Sequence, residues 1–149
     1  MSTIPLPTEF SELLKLLHAH EVRYLVVGGY AVAYHGYPRT TGDIDIWIER
    51  SRDNAERIYN VLLNFGFDVP ELRAELFEQA DRVIRMGYPP LRVEILTSIS
   101  GVEFSDCYPK RIQDDLGGTR ASIIELDCLK TNKRASGRHK DLSDLGHLP

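Results

Sequence analysis

The glycine pair Gly28-Gly29, with a strand-like run on either side of it, constrains the fold more than any other feature. The apolar run Tyr24–Val27 is typical of a buried β-strand, and a glycine pair at its end is typical of a turn. A short helix is predicted over Tyr30–Tyr34. The run Asp43–Ile48 then alternates polar and apolar residues, as a strand with one face in the core does. This order of elements predicts an α/β or α+β protein.

The rest of the chain carries further helical and strand-like patterns. Apolar periodicity predicts helices at Thr8–His20, Asp53–Asn64, Glu71–Gln79, Asp127–Ala135 and Lys140–Leu145. Alternation predicts strands at Arg82–Met86, Leu91–Leu96 and Ala121–Ile124. The segment Asp106–Gln113 fits no single pattern. Since no repeat or linker separates these elements, we expect one domain over residues 1–149, with a mixed β-sheet flanked by helices and a C-terminal helical segment at residues 127–146.

Length, composition and charge exclude several classes of protein. The chain has 149 residues, of which 42% are hydrophobic and 27% charged, enough for one hydrophobic core. No apolar run approaches the ~20 residues of a membrane-spanning helix, and the N-terminus shows no signal peptide, so we expect a cytoplasmic protein that does not enter the membrane. The net charge of -4 lacks the basic surplus of proteins that bind nucleic-acid phosphates, so there is no strong nucleic-acid signature.

The cysteines and histidines form no metal-binding pattern. Cys107 and Cys128 lie far apart and outside any CxxC spacing, so we expect reduced thiols, at least one of them buried. The histidines form no HExxH motif. The sequence therefore argues against a zinc enzyme.

Asp43 and Asp45 stand two residues apart on a predicted strand, so their side chains point to the same side of it. Their Cα atoms are then ~6.6 Å apart. Two negative charges at that distance repel by roughly 2.5 kcal/mol at an effective dielectric constant of about 20. A shared divalent cation is the simplest compensation, and carboxylate oxygens with no sulfur or imidazole nearby favour Mg²⁺ or Mn²⁺.

Glu94 supplies a third carboxylate, on the polar face of the predicted strand Leu91–Leu96. If this strand lies beside Asp43–Ile48, the three carboxylates meet in one patch that can hold one or two Mg²⁺ ions against a nucleoside triphosphate. Glu94 equally fits a solvent-facing residue that pairs with Arg92 or Arg85, and both interpretations stay open at this point.

Gly28 and Gly29 are the candidate phosphate-binding residues. Because they have no side chains, phosphates can approach their backbone N–H groups, and the helix that follows adds partial positive charge at its N-terminus. A tight turn with no ligand is the alternative interpretation.

A strand that ends in Gly-Gly, a short helix and a DxD motif on the next strand resemble the polymerase-beta-like nucleotidyltransferase superfamily. Residues 28–45 resemble its small bacterial and archaeal members, which are related to the nucleotidyltransferase components of toxin–antitoxin systems. Residues 127–145, which include the stretch Lys133-Arg134-Ala135-Ser136-Gly137, resemble the same branch. The resemblance implies a nucleotidyltransferase-like fold over most of the chain.

The resemblance also implies roles for the acidic residues. Asp43 and Asp45 would bind Mg²⁺, or Mn²⁺ in its place. Glu94 would be a third metal ligand or the base that accepts the proton of the attacking hydroxyl group. The three residues would thus be catalytic as well as metal-binding.

The basic residues of the tail are the second group for which the resemblance implies a role. Lys133, together with Arg138 or Lys140, would face the phosphates of the nucleotide, and Asp141 would orient one of these cations. The simpler interpretation is that Asp141 pairs with Arg138 or Lys140 on a solvated helix surface.

Two functions are compatible with these residues. The first is a Mg²⁺-dependent nucleotidyltransferase, with ATP or another nucleoside triphosphate as co-substrate and a small molecule, a protein side chain or an RNA end as acceptor. The second is a catalytically silent or partner-dependent, antitoxin-like interaction protein with the same fold. The larger family members carry an extra helical domain for the acceptor, so we expect a partner protein or a second copy of this chain to complete the cleft.

Overall fold

A computed structural model gives the fold and describes residues 4–38, 41–88 and 90–149. The described residues form six α-helices and six β-strands. The helices are α1 (Thr8–Ala19), α2 (Gly28–Tyr34), α3 (Arg52–Phe65), α4 (Phe104–Cys107), α5 (Leu126–Ser136) and α6 (His139–His147). The strands are β1 (Tyr24–Val27), β2 (Asp43–Ile48), β3 (Val83–Tyr88), β4 (Leu91–Leu96), β5 (Ile112–Leu116) and β6 (Thr119–Ile123).

The six strands form one mixed sheet in the order β3-β4-β2-β1-β6-β5. β1 runs antiparallel to β2, whereas β2 is parallel to β4 and β1 is parallel to β6. The outer strands β3 and β5 are the antiparallel partners of β4 and β6. The predicted mixed sheet with flanking helices is therefore confirmed.

The alternation of β2 separates an apolar face of the sheet from a polar one. Ile44, Ile46 and Ile48 have no exposed surface, and they belong to the same core as the apolar stripes of α1 and α3. Asp43 and Asp45 lie on the opposite face of the strand because successive side chains alternate. The central strand thus holds its two aspartates rigidly, next to the core that stabilises the fold.

The glycine pair differs from the sequence-based expectation of a turn before a helix at Tyr30. Gly28 and Gly29 are the first residues of α2, which begins directly after β1. The positive φ angle of Gly28 lets the chain pass from strand to helix within one residue.

Two further stretches differ from the expectation. Within Glu71–Gln79, only the 3₁₀ turn Ala74–Glu78 is helical. Its one buried residue is Phe77, so the segment lacks the apolar stripe that holds a longer helix on a core. The unassigned stretch from residue 106 contains the end of α4, a 3₁₀ turn and the start of β5. β5 is an edge strand with exposed polar residues, which hides its alternation.

The prediction that the cysteines are reduced thiols is wrong, because Cys107 and Cys128 form a disulfide. Their Cα atoms lie 6.2 Å apart, and both residues are buried, as expected for at least one of them. The hairpin of β5 and β6 reverses the chain between the two cysteines and brings the end of α4 to the start of α5. A separation of 21 residues along the chain conceals this contact from inspection of the sequence.

The longest helix, α3, has 14 residues, whereas a bilayer span needs about 20. Within the three described ranges, no helix combines the length and the apolar character needed to cross a membrane.

A buried asparagine fixes the start of α3 against the sheet. Asn54 has no exposed surface, and its side-chain oxygen accepts a hydrogen bond of 2.8 Å from the backbone N–H of Arg23. Its amide nitrogen donates to the carbonyl oxygens of Arg23 at 3.0 Å and Glu49 at 2.9 Å. One buried side chain therefore binds three backbone groups next to β1 and β2.

We expect Asn54→Ala to lower the free energy of unfolding by about 3 kcal/mol, because it leaves the N–H of Arg23 and the carbonyl oxygen of Glu49 without the partners that Asn54 supplies. Urea denaturation measures the change. Asn64→Ala, at the exposed end of the same helix, is the matched control and should change stability by less than about 0.5 kcal/mol. Equal effects of the two substitutions would contradict the role of Asn54.

Candidate active site

The polar face of the sheet opens into a cavity of about 640 Å³. Its wall contains the junction of β1 and α2, residues of β2, β3 and β4, and residues at and beyond the end of α5. The cavity is lined by the residues that the sequence predicted as a functional site: Gly28, Gly29, Asp43, Asp45, Glu94, Lys133, Arg138, Lys140 and Asp141. The structure therefore brings the whole predicted set to one place.

The pairing of β2 with β4 places the acidic residues side by side. In the parallel register, Asp45 lies opposite Glu94 and Asp43 lies opposite Arg92. The two strands are thus neighbours, as the prediction of a shared acidic patch required. Residues separated by about 50 positions along the chain become direct neighbours on one face of the sheet.

Asp45 is the most buried carboxyl group of the three, and its environment disfavours its charge. Its Oδ1 atom is buried and, among the described residues, has no hydrogen-bond partner. Burial, followed by the hydrogen bond with Glu94 and the negative charges of Glu94 and Asp43, raises the pKa of Asp45 to about 7. Lys140 works in the opposite direction. A carboxyl group in this setting releases its proton near neutral pH, and a bound cation would favour that release.

Glu94 is the ionised partner of this pair. Its partial burial works to raise the pKa of its carboxyl group, but hydrogen bonds with Asp45 and Arg85 hold the pKa below its usual range. Arg85 Nε lies 2.8 Å from Glu94 Oε1. The pairing with Arg85 that the sequence left open is therefore present, and it coexists with the contact to Asp45.

Asp43 is held by Arg92. The Nε and Nη2 atoms of Arg92 each lie 3.2 Å from one carboxylate oxygen of Asp43, in a two-pronged contact between neighbouring strands. The expected repulsion between the aspartates is thus reduced without a metal, by one arginine on Asp43 and a raised pKa on Asp45.

The chemistry of these donors fits a divalent cation. Carboxylate oxygens from three residues face one cavity, and the unpartnered Oδ1 of Asp45 is an oxygen that a cation would satisfy. Across the part of the chain that the structure describes, no three Asp, Glu, His or Cys side chains are grouped closely enough to form a ready metal site. Arg92 engages both oxygens of Asp43 and Arg85 engages Oε1 of Glu94, so a metal would compete with these arginines for the two carboxylates.

The two glycines allow close packing beneath this cavity. A Cβ atom on Gly28, which has a φ angle of +66°, would lie 2.0 Å from Oδ2 of Asp45. A Cβ atom on Gly29 would lie 3.0 Å from the side chain of Thr41. Asp45 of β2 therefore leaves no room for a side chain at residue 28, and Thr41 of the preceding loop leaves little room for one at residue 29. Contact of their backbone with a triphosphate stays a prediction.

The basic residues from the tail have unequal surroundings. Lys133 is buried, and its Nζ atom lies 3.1 Å from both Asp141 Oδ1 and Asp144 Oδ2. Arg138 Nε lies 2.7 Å from Asp141 Oδ2, and its side chain is 64% exposed. The ammonium group of Lys133 is thus neutralised inside the protein, whereas Arg138 reaches the cavity from its rim.

The partner of Asp43 and the segment after β4 are the features of the site that the sequence did not indicate. The sequence predicts Arg92 only as a partner of Glu94, but Arg92 binds Asp43. Its position two residues before Glu94, on the same strand face, was the available signal. Residues 98–100 also line the cavity, and Asn132 of α5 donates a hydrogen bond of 3.0 Å to the carbonyl oxygen of Ser100. No sequence pattern indicated that contact.

Comparison with known proteins supports the fold. No model of a protein family matches this chain, and no curated protein matches it by sequence. A crystal structure of a candidate nucleotidyltransferase from Thermotoga maritima aligns with a TM-score of 0.64 and 17% sequence identity, over 92% of this chain and 88% of that chain. The chain therefore has a nucleotidyltransferase-like fold, as the resemblance implied. The relation to toxin–antitoxin systems stays a prediction.

Gly28→Ala should destabilise the protein more than Gly137→Ala does. Both glycines have φ angles in the left-handed region, of +66° and +68°, so either substitution costs about 1–2 kcal/mol in backbone strain. Only the Cβ atom on Gly28 would also collide with Asp45, since a Cβ atom on Gly137 would meet nothing closer than the carbonyl oxygen of Arg134 at 3.7 Å. The collision adds about 1–3 kcal/mol, which chemical denaturation can measure. Equal losses of stability in the two variants would show that the side chain of Asp45 can move aside without a cost in free energy.

Asp45→Asn should stabilise the protein increasingly as the pH rises from about 4 to 7. The pKa of Asp45 is raised from 3.8 to about 7 in the folded state, so folding retains a proton that the unfolded chain releases in this window. Wild-type stability therefore falls with rising pH relative to the variant, which cannot ionise at this position. Urea unfolding of both proteins at several pH values measures the difference, and a difference that is constant with pH would contradict the assignment.

Proposed function

We propose that this protein is a Mg²⁺-dependent nucleotidyltransferase that transfers a nucleoside monophosphate from a nucleoside triphosphate to a hydroxyl group. The observation that carries the proposal is the pair of Asp45 and Glu94, adjacent on parallel strands, in a polar cavity of a nucleotidyltransferase-like fold. The buried, unpartnered oxygen of Asp45 supports a cationic ligand at this pair.

Asp43, Asp45 and Glu94 are the residues that would hold Mg²⁺, or Mn²⁺ in its place. Bound there, the cation would neutralise charge on the triphosphate and on the departing pyrophosphate. The carboxylates provide the hard oxygen ligands that both ions prefer.

The chain itself supplies positioning and charge. In the proposed reaction, the acceptor oxygen forms a bond to the α-phosphorus and the bond from that phosphorus to the bridging oxygen breaks, so that pyrophosphate leaves. We assign to Glu94 the acceptance of the hydroxyl proton, as an alternative to a purely ligating role, because its carboxylate faces the cavity beside Asp45. Arg138 and Lys140 line the same cavity and are the cations we assign to the phosphates.

One observation favours the second candidate function, a catalytically silent or partner-dependent interaction protein. The ion pairs of Asp43 with Arg92 and of Glu94 with Arg85 compensate the acidic cluster without a metal. A scaffold that never binds a cation would therefore tolerate these carboxylates. The two functions differ in whether label from a nucleotide is transferred.

The decisive experiment incubates the protein with Mg²⁺, a cell extract and nucleoside triphosphates labelled at the α-phosphate. We expect an acceptor that is labelled only when the protein is added to the extract. The same addition should produce no new labelling from a triphosphate that carries its label at the γ-phosphate, since that group leaves with pyrophosphate. Asp43→Asn combined with Asp45→Asn should lower labelling by at least about 100-fold, because removing groups that stabilise transition-state charge costs this much.

Asp53→Asn, at an exposed acidic residue of α3, is the matched control and should label as the wild type does. Mg²⁺ with a triphosphate should also raise the melting temperature of the wild type and of this control, but not that of the double variant. Absence of both labelling and thermal shift in the wild type would refute the enzyme and leave the interaction protein.

A further inference from the structure

Arg92 lies beside Asp43, where its positive charge compensates the negative charge of the aspartate. Its side chain is 37% exposed, lines the cavity, and bridges both carboxylate oxygens of Asp43 at 3.2 Å. Because both oxygens are engaged, a cation that binds Asp43 competes with the guanidinium group for the same carboxylate, and its positive charge favours displacement of that group.

The cost of that displacement is limited. A partly exposed ion pair contributes little in water, so Arg92 should weaken the binding of a lone cation by about two- to fivefold rather than block it. A displaced guanidinium group would remain on the cavity wall with its donors free. Its planar fork matches a phosphate as well as it matches a carboxylate, so an anionic polyphosphate in the cavity is its natural next partner.

We propose that Arg92 is a positioning residue that couples the binding of the divalent cation to the binding of the triphosphate. With an empty cavity it binds Asp43, and when a cation takes Asp43 it transfers to a phosphate oxygen. This inference rests on the proposed function. By reciprocity, the nucleotide increases the affinity for the cation by the same factor by which the cation increases the affinity for the nucleotide.

The test measures Mn²⁺ binding to the full chain by electron paramagnetic resonance, alone and with a triphosphate analogue that carries a methylene group between its α- and β-phosphates. Arg92→Gln should bind Mn²⁺ alone about two- to fivefold more tightly than the wild type, since Asp43 is no longer engaged. The same variant should bind the Mn²⁺–analogue pair more weakly. The coupling factor is the ratio of the Mn²⁺ affinity with the analogue to the Mn²⁺ affinity without it. Because Mn²⁺ also binds the analogue in solution, we compare how this factor differs between the wild type and the variants.

Two further variants separate this role from a general effect of charge. Arg57→Gln removes the same charge from a surface arginine that pairs with Asp53, and it should leave both affinities unchanged. Arg92→Lys keeps the charge but cannot bridge both oxygens of Asp43 in the same way. Arg92→Lys should therefore show a coupling factor between those of the wild type and Arg92→Gln. If the glutamine variant does not fold, the lysine variant replaces it in the test.

The inference is overturned if Arg92→Gln, or the lysine variant in its place, keeps the wild-type coupling factor. It is also overturned if Arg92→Lys behaves as the wild type while Arg92→Gln does not, since a diffuse charge then explains the result. Coupling that depends on Arg92 in a protein that transfers no label would support this inference and refute only the enzymatic proposal. Wild-type protein that binds neither Mn²⁺ nor the analogue would overturn both.

Discussion

The parallel pairing of β2 with β4 is the constraint on which the site depends. Its register sets Asp45 opposite Glu94 and Asp43 opposite Arg92, and thereby concentrates negative charge on one face of a rigid sheet. The protein compensates this charge in three ways: a raised pKa at Asp45, the two-pronged contact of Arg92, and the contact of Arg85 with Glu94. The site is therefore stable without a metal, yet every compensating contact is one that a cation and an anion could replace together.

The surrounding structure holds these groups where they are. Gly28 is required because Asp45 packs directly against its backbone, so the start of α2 and the acidic strand β2 depend on one another. On the opposite wall, Asp141 and Asp144 bind the buried ammonium group of Lys133 and tie α5 to α6. A buried charge pair of this kind keeps its geometry, because breaking it would leave an uncompensated charge.

Much of this arrangement could be predicted from local pattern. The alternation of Asp43–Ile48, the glycine pair, and the helices on either side of Gly137 each follow from interactions within a few residues, and the structure contains all of them. The contact of Arg92 with Asp43 could not be assigned, because it depends on strand register between distant segments. The disulfide between Cys107 and Cys128 was missed because the two cysteines are 21 residues apart and meet only through the intervening hairpin of β5 and β6. The edge strand β5 was missed because its exposed polar residues hide the alternation.

The central claim is that Asp45 and Glu94 form one cation site beside a triphosphate. Crystals grown with Mn²⁺ and the α,β-methylene analogue test it most directly, by anomalous diffraction at the manganese edge. The account predicts a manganese peak in contact with carboxylate oxygens of both residues and with a phosphate oxygen. A peak away from this pair, or a bound analogue beside the unchanged contacts of Arg85 and Arg92, would contradict it.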